Sequence, residues 1–283
     1  MPLAVEGRGV VLGYDGHIAV ERSDFSIPRG RLTAVIGPNG SGKSTLLGAI
    51  AGILEPRAGE IRVLGSPPGR IHRRVAYVLQ ATKVNEVMPI TVGETVMMGR
   101  YALAGPFGPM RRDDREACRD ALDRLGIARL ANRHLTELSG GQRQRVFVAQ
   151  GLAQEADVLL LDEPVTGLDL VSRGRIRTAI EEELAAGTTV ILTTHDVAEA
   201  ADAGHVLLMS GRVHTEGPPE TALHPDRLSD AYGIGIVHLE DGSVVLDDPL
   251  HRPAAQRHVH FERRERRREA ESAHHRRKPR HHR

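Results

Sequence analysis

Nine residues constrain this chain more than any others: the run GPNGSGKST, Gly37–Thr45. It follows the apolar segment RLTAVIG and opens into KSTLLGAIAGIL, so the local order is strand, glycine-rich turn, helix. The pattern G-x-x-x-x-G-K-[ST] needs that setting, because most of its chemistry comes from the backbone. Gly37, Gly40 and Gly42, with Pro38, Asn39 and Ser41 between them, let the main chain wrap closely enough for its N–H groups to face phosphate oxygens. The helix that starts there adds the positive end of its dipole. Lys43 supplies a point charge for the β- and γ-phosphates, and the Ser44 hydroxyl, ahead of Thr45, is suited to Mg²⁺. The implied ligand is a nucleoside triphosphate; the loop alone does not say what its energy is used for.

The rest of the chain fits an α/β layer fold with a largely parallel sheet. RLTAVIG, DVLLLD and TTVILTT are apolar throughout and do not alternate, as expected of strands buried on both faces. Helical stretches separate them: KSTLLGAIAGIL, RDDREACRDALDRLG, GGQRQRVFVAQGLA and SRGRIRTAIEEELAAG. The opening segment, residues 3–30, reads instead as short strands joined by Gly/Asp turns, an antiparallel piece ahead of the parallel core. The expected division is a nucleotide-binding domain over 1–220 with a helical insertion at about 82–140, a small extension over 221–250, and a basic tail over 251–283. Within the extension, AYGIGIVHLEDGSVVLDDP reads as a hairpin turning at Asp241–Gly242.

A second acidic feature completes the hydrolytic set. VLLLDEP places Asp162 and Glu163 at the C-terminal end of a buried strand, the edge at which open α/β sheets bind ligands. Asp162 can hold Mg²⁺ through its water shell, and Glu163 can polarise the water that attacks the γ-phosphate. ATP hydrolysis is the expected reaction. The single cysteine, Cys118, lies in a polar helical run and is read as having no chemistry.

The sequence LSGGQ, Leu138–Gln142, ends 20 residues before Asp162 and is similar to the signature motif of ABC ATPases. Its Ser139, Gly140 and Gly141 open a second helix whose N-terminus can face phosphate, and one nucleotide does not need two. The resemblance implies a head-to-tail homodimer, with Ser139–Gln142 of one subunit closing on ATP held by the other. Four more positions match. Gln80 stands where the family senses Mg²⁺ and touches the permease, although Leu79 replaces a common proline. His195 corresponds to the switch histidine that contacts the γ-phosphate, Asp169 to the loop that communicates across the dimer, and Tyr14 to the ring stacked on adenine. Gln150 stands where arginine is often found.

The chain contains no run of about 20 apolar residues and no basic start followed by an apolar stretch, so neither a membrane span nor a signal peptide is expected. The resemblance therefore implies a peripheral subunit on the cytoplasmic face of the membrane, bound to a separate permease and served indirectly by an extracytoplasmic substrate-binding protein. One cassette with no room for a coiled coil argues against non-transport relatives that act in DNA repair or translation, so nucleic acid is not an expected partner. The segment from Met88 to Gln142 resembles the ATPases of zinc and manganese importers; iron-siderophore and haem importers are the alternative. Met88, Met97 and Met98 read as adaptable packing against a permease helix.

Net charge is +1, yet residues 251–283 carry 12 Lys/Arg against 4 Asp/Glu, and the remaining 250 residues are net acidic. That tail holds seven of the 15 histidines: His251, His258, His260, His274, His275, His281 and His282. Two readings stay open. One is loose, pH-dependent Zn²⁺ binding; the other is a basic segment that touches anionic headgroups or aids solubility.

Overall fold

The computed structural model describes residues 2–14, 16–80, 89–104, 108–233, 236–238 and 244–246. It falls into two compact units, Met1–Gly233 and Ile234–Arg283. The basic tail, the expected turn at Asp241–Gly242 and Met88 lie outside the described residues.

The first unit is built on two sheets with one helix between them. β1 (Leu3–Tyr14) and β2 (His17–Pro28) pair antiparallel, and β3 (Leu32–Ile36) leads through the glycine-rich loop into α1 (Lys43–Ile50). β4 (Ala58–Val63) then returns to pair antiparallel with the far side of β1, giving the order β2-β1-β4. The antiparallel piece is therefore not wholly ahead of the parallel core, because its third strand arrives after α1. It also has two strands of 12 residues where the sequence suggests short ones. α1 stops at Ile50, not at residue 54: Gly52 turns the chain at φ 78°, and its N–H bonds back to the Ala49 carbonyl.

The main sheet has the order β5-β6-β7-β3-β8-β9, from β5 (Val75–Val78), β6 (Val158–Leu161), β7 (Thr189–Thr194), β3, β8 (His205–Met209) and β9 (Val213–Gly217). All neighbours are parallel except β8 and β9. Every residue of β6 and of β7 is buried, as continuous apolar runs require. The expected α/β class, with its antiparallel subdomain and helical insertion, is thus the observed one. Leu46, Leu47 and Ile50 of α1 fill the space between the sheets, against Val10, Leu12 and Ile27 on one side and Val35, Leu160 and Ile191 on the other. Burying each such side chain contributes about 1.5–3 kcal/mol.

The helical insertion holds α2 (Val92–Ala104) and α3 (Arg112–Arg124), packed on α4 (Gly140–Ala153). α5 (Leu170–Ala185) and α6 (Val197–Ala201) flank β7. Two helices close the unit: α7 (Pro219–Ala222), which straddles the expected boundary at residue 220, and α8 (Pro225–Tyr232), within the span expected as a small extension. α8 begins at a proline, ends on left-handed Gly233, and buries Leu228 and Ala231. In the second unit, β10 (Ile236–His238) and β11 (Val244–Leu246) form an antiparallel pair.

Candidate active site

Four neighbouring strands of the main sheet end in the four expected motifs. β3 runs into Gly37, β5 into Gln80, β6 into Asp162 and Glu163, and β7 into His195. Register sets their height: Ile36 lies beside Thr194, Leu161 beside Leu192, and the Asp162 N–H donates to the Val78 carbonyl at 2.9 Å. The chemistry is therefore gathered on the carboxyl edge of one sheet, where parallel strands leave room for a ligand.

The phosphate loop is fixed by what surrounds it. A Cβ on Gly37 would run into the Met209 carbonyl oxygen. Gly42 caps α1 in the left-handed region at φ 94°, and a Cβ there would lie 2.5 Å from Val20 Cγ2. The Lys43 ammonium is buried and donates to the carbonyls of Gly37 at 2.9 Å and Pro38 at 3.1 Å. Burial lowers its pKa, while the charges of Glu163 and Asp162 oppose that shift. The buried Ser41 hydroxyl has no partner among the described residues, so the cradle keeps a polar atom unused. Ser44 is exposed on the first turn of α1, and Asn39 and Gly40 are exposed on the loop.

Glu163 adopts φ 46°, a left-handed conformation that costs a non-glycine residue on the order of 1–2 kcal/mol. Two groups hold it: Gln80 Nε2 donates to its carboxylate at 3.0 Å, and its own N–H donates to Thr193 Oγ1 at 2.9 Å. The same Thr193 hydroxyl donates to Asp162 Oδ1 at 2.6 Å. The Tyr77 phenol also faces Asp162; burial first, and then that carboxylate's charge, push its pKa up. Neither Thr193 nor Tyr77 stands out in the sequence. A signal for Thr193 is present in TTVILTT, since hydroxyls at the end of a wholly buried strand require partners.

His195 is exposed just after Thr194, whose hydroxyl accepts from the Asp196 N–H at 3.0 Å. It borders a cavity of about 730 Å³ between α5 and α6. Tyr14 ends β1 with its ring exposed.

The signature segment forms a separate group. Ser139 caps α4 reciprocally with Gln142: the Gln142 N–H donates to the serine hydroxyl at 3.3 Å, and the Ser139 N–H to Gln142 Oε1 at 3.0 Å. Asp169 caps α5, accepting from the Ser172 N–H and hydroxyl at 2.8 Å each, which holds its carboxyl below the usual aspartate range. A Cβ on Gly141 would lie 2.7 Å from Asp169 Oδ2 and 2.7 Å from Ser172 Oγ. Within one chain, then, Asp169 braces the signature glycine. Among the described residues no hydrogen bond joins Ser139–Gln142 to Gly37–Thr45. Gly141→Ala is expected to loosen the α5 cap at a cost of about 1 kcal/mol, lowering the melting temperature by about 2–4 °C in calorimetry.

Beside Gln80 lies a groove of about 360 Å³. Leu79, Met98, Phe147 and Gln150 line it, and among the described residues no Asp, Glu, Lys, Arg or His takes part. Leu79, Met98 and the nearby Tyr101 are exposed.

The sequence profile of ABC transporters matches residues 20–166. This chain belongs to the ABC transporter family. It is 38% identical over 231 residues to the zinc transport system ATP-binding protein TroB of Treponema pallidum, covering 81% of this chain and 87% of that protein. It is 32% identical over 230 residues to the manganese transport system ATP-binding protein MntB of Listeria monocytogenes, covering 81% and 96%. Among solved structures, it superposes with a TM-score of 0.67 on a dimeric, post-hydrolysis ATP-binding cassette bound to ADP and Pi, at 26% identity over 76% of this chain and 98% of that one. The chain is an ATPase of the transport-coupled kind.

Proposed function

We propose that this ABC ATPase is the motor of a metal-ion importer, for zinc foremost and manganese next, working as a homodimer beneath a separate permease on the cytoplasmic face of the membrane. The observation that carries the catalytic part is Glu163, held between Gln80 and Thr193 at the sheet edge that also presents the phosphate loop. ATP lies with its phosphates along Gly37–Thr45 and its adenine on Tyr14. The groups present fit Mg²⁺: the Ser44 hydroxyl, the Asp162 carboxylate, and the Gln80 amide oxygen, left over when Nε2 is given to Glu163, are hard oxygen donors. A Mg²⁺ ion held by these donors would supply positive charge to offset that of the phosphates.

Lys43 draws charge from the β- and γ-oxygens. Glu163 accepts a proton from the water aligned behind the γ-phosphate, and His195 holds that phosphate and orients the water. Ser139–Gln142 of the partner subunit supplies the second helix N-terminus, which explains why this segment makes no bond to the loop of its own chain. Asp169 lies next to it and reports closure between subunits. The dimeric form of the related cassette supports this arrangement.

The groove beside Gln80, uncharged among its described lining residues, fits a permease segment that docks through apolar and amide contacts. Gln80 lines this groove and also holds Glu163, so permease position and water activation meet at one side chain. Among the described residues no helix is long and apolar enough to cross a membrane, which agrees with a peripheral subunit. A binding protein outside the membrane delivers the metal, and the histidine-rich tail, 251–283, offers weak Zn²⁺ binding.

Substrate choice rests on the likeness to zinc and manganese systems. The test is the elemental content of cells lacking the gene, grown under metal limitation and complemented with the intact gene or one ending at Pro249. A zinc deficit repaired by the intact gene is expected. An iron deficit with normal zinc would turn the assignment to siderophore or haem uptake. No metal deficit would remove metal import, and full rescue by the shortened gene would leave the tail without a role in transport.

A further inference from the structure

Thr193 is the penultimate residue of β7 and is fully buried. A hydroxyl has one proton and two lone pairs, and here both kinds of capacity are used on one target. The proton goes to Asp162 Oδ1 at 2.6 Å, and a lone pair receives the Glu163 N–H at 2.9 Å. The two acidic residues leave β6 in sequence, and the hydroxyl of the adjacent strand bridges the peptide unit between them.

The backbone at that point is not at rest. Glu163 is one of three described non-glycine residues with positive φ, and it is the only one of the three at the sheet edge that presents the phosphate loop. Left-handed φ persists in a non-glycine residue only where the surroundings hold it. The Glu163 side chain is tethered from the other direction by Gln80, an exposed residue. The buried end of the tether is Thr193. β3, the neighbour of β7, supplies a contrast: Thr33 is equally buried, yet its hydroxyl has no partner among the described residues. Burial of a threonine in this sheet therefore does not itself dictate such bonds.

We propose that Thr193 is a positioning residue for hydrolysis, its hydroxyl locking Glu163 in the left-handed conformation that aims the carboxylate at the attacking water. The inference rests on the reading of Glu163 as the group that accepts the water's proton. Valine keeps the shape of threonine without the hydroxyl, and serine keeps the hydroxyl. Misaiming a reacting group by a fraction of its length lowers turnover without touching nucleotide affinity. Thr193 lies behind the carboxylates, not on the phosphate loop, so ATP affinity should not follow kcat.

The experiment measures kcat and KM for MgATP, the affinity for a fluorescent ATP analogue and the thermal midpoint, in the full chain. The variants are Thr193→Val, Thr193→Ser, Thr33→Val and Glu163→Gln. Thr193→Val is expected to lower kcat at least about tenfold with KM and analogue affinity within about twofold. Thr193→Ser should restore most of that loss, and Thr33→Val should leave kcat unchanged. Turnover within twofold of native for Thr193→Val overturns the inference, as does a Thr193→Ser variant as slow as Thr193→Val, or equal losses in kcat and analogue affinity. If Thr193→Val fails to fold, Thr193→Ser and Thr193→Ala carry the comparison, and equal rates for these two overturn it. Glu163→Gln separates the layers: normal turnover there sinks the reading of Glu163, whereas an inactive Glu163→Gln beside a native-like Thr193→Val sinks the role of Thr193 alone.

Discussion

Glu163→Gln should bind ATP as the native chain does and hydrolyse it about a thousandfold more slowly. The amide is isosteric and can still pair with Gln80, so the 3.0 Å contact and the left-handed backbone survive while the capacity to take a proton from water is lost. In the proposed head-to-tail dimer closure depends on ATP and opening on its loss, so the variant should accumulate as an ATP-bound dimer. Size-exclusion chromatography with MgATP reads the dimer, and phosphate release reads the rate. Turnover at the native rate would remove Glu163 from the mechanism; slow turnover without any dimer would remove the head-to-tail arrangement.

Arg100→Met should destabilise the fold more than Gly141→Ala or Thr193→Val. Arg100 leaves α2 with its side chain only 8% exposed and binds Asp114 of α3 at 2.9 Å, the Ala153 carbonyl at the end of α4 at 2.9 Å, and the Glu155 carboxylate. Methionine keeps the stem and deletes the charge, leaving Asp114, itself 10% exposed, with the Arg111 N–H as its remaining described partner. Breaking such a pair from one side costs about 3–5 kcal/mol, or a melting temperature lower by roughly 6–15 °C. A pH signature accompanies it. The Arg111 N–H first, and then Arg100, hold the Asp114 carboxyl below the ordinary aspartate range. A depressed carboxylate stabilises the fold above its unfolded pKa, and that contribution is lost as pH falls through the folded value. In Arg100→Met the folded value moves up toward the ordinary one, so acid unfolding should begin at higher pH than in the native chain. Superimposable acid transitions would show that the network contributes nothing.

The sequence pointed to the parts of the candidate site whose chemistry is carried by spacing along the chain. Gly37–Thr45 and Asp162–Glu163 each follow a continuous apolar run, Ser139–Gln142 opens a helical stretch, and the helix expected over GGQRQRVFVAQGLA is the one observed, from Gly140 to Ala153. What it hid was set by strand order. Nothing along the chain says that β6 and β7 are neighbours at a register that sends the Thr193 hydroxyl to Asp162, nor that Tyr77 faces the same carboxylate. Likewise, β4 carries only six residues, three of them exposed at its start, and its pairing with β1 is fixed by the packing over α1 rather than by its own pattern. α8 escapes the sequence pattern because eight residues give too few turns for a clear period, although its proline start and glycine stop are readable.

The long-range pairing of β3 bears on the order in which this protein becomes competent during synthesis. The glycine-rich loop is complete by Thr45, but among the described strands β3 pairs only with β7 and β8, more than 150 residues downstream, and the loop's first glycine sits against the Met209 carbonyl. A ribosome that has made α1, or even the whole helical insertion, has made a phosphate loop with no strand on either side. Nascent chains shorter than about Met209 therefore cannot hold nucleotide as the finished domain does, so unfinished motors do not draw on the ATP pool.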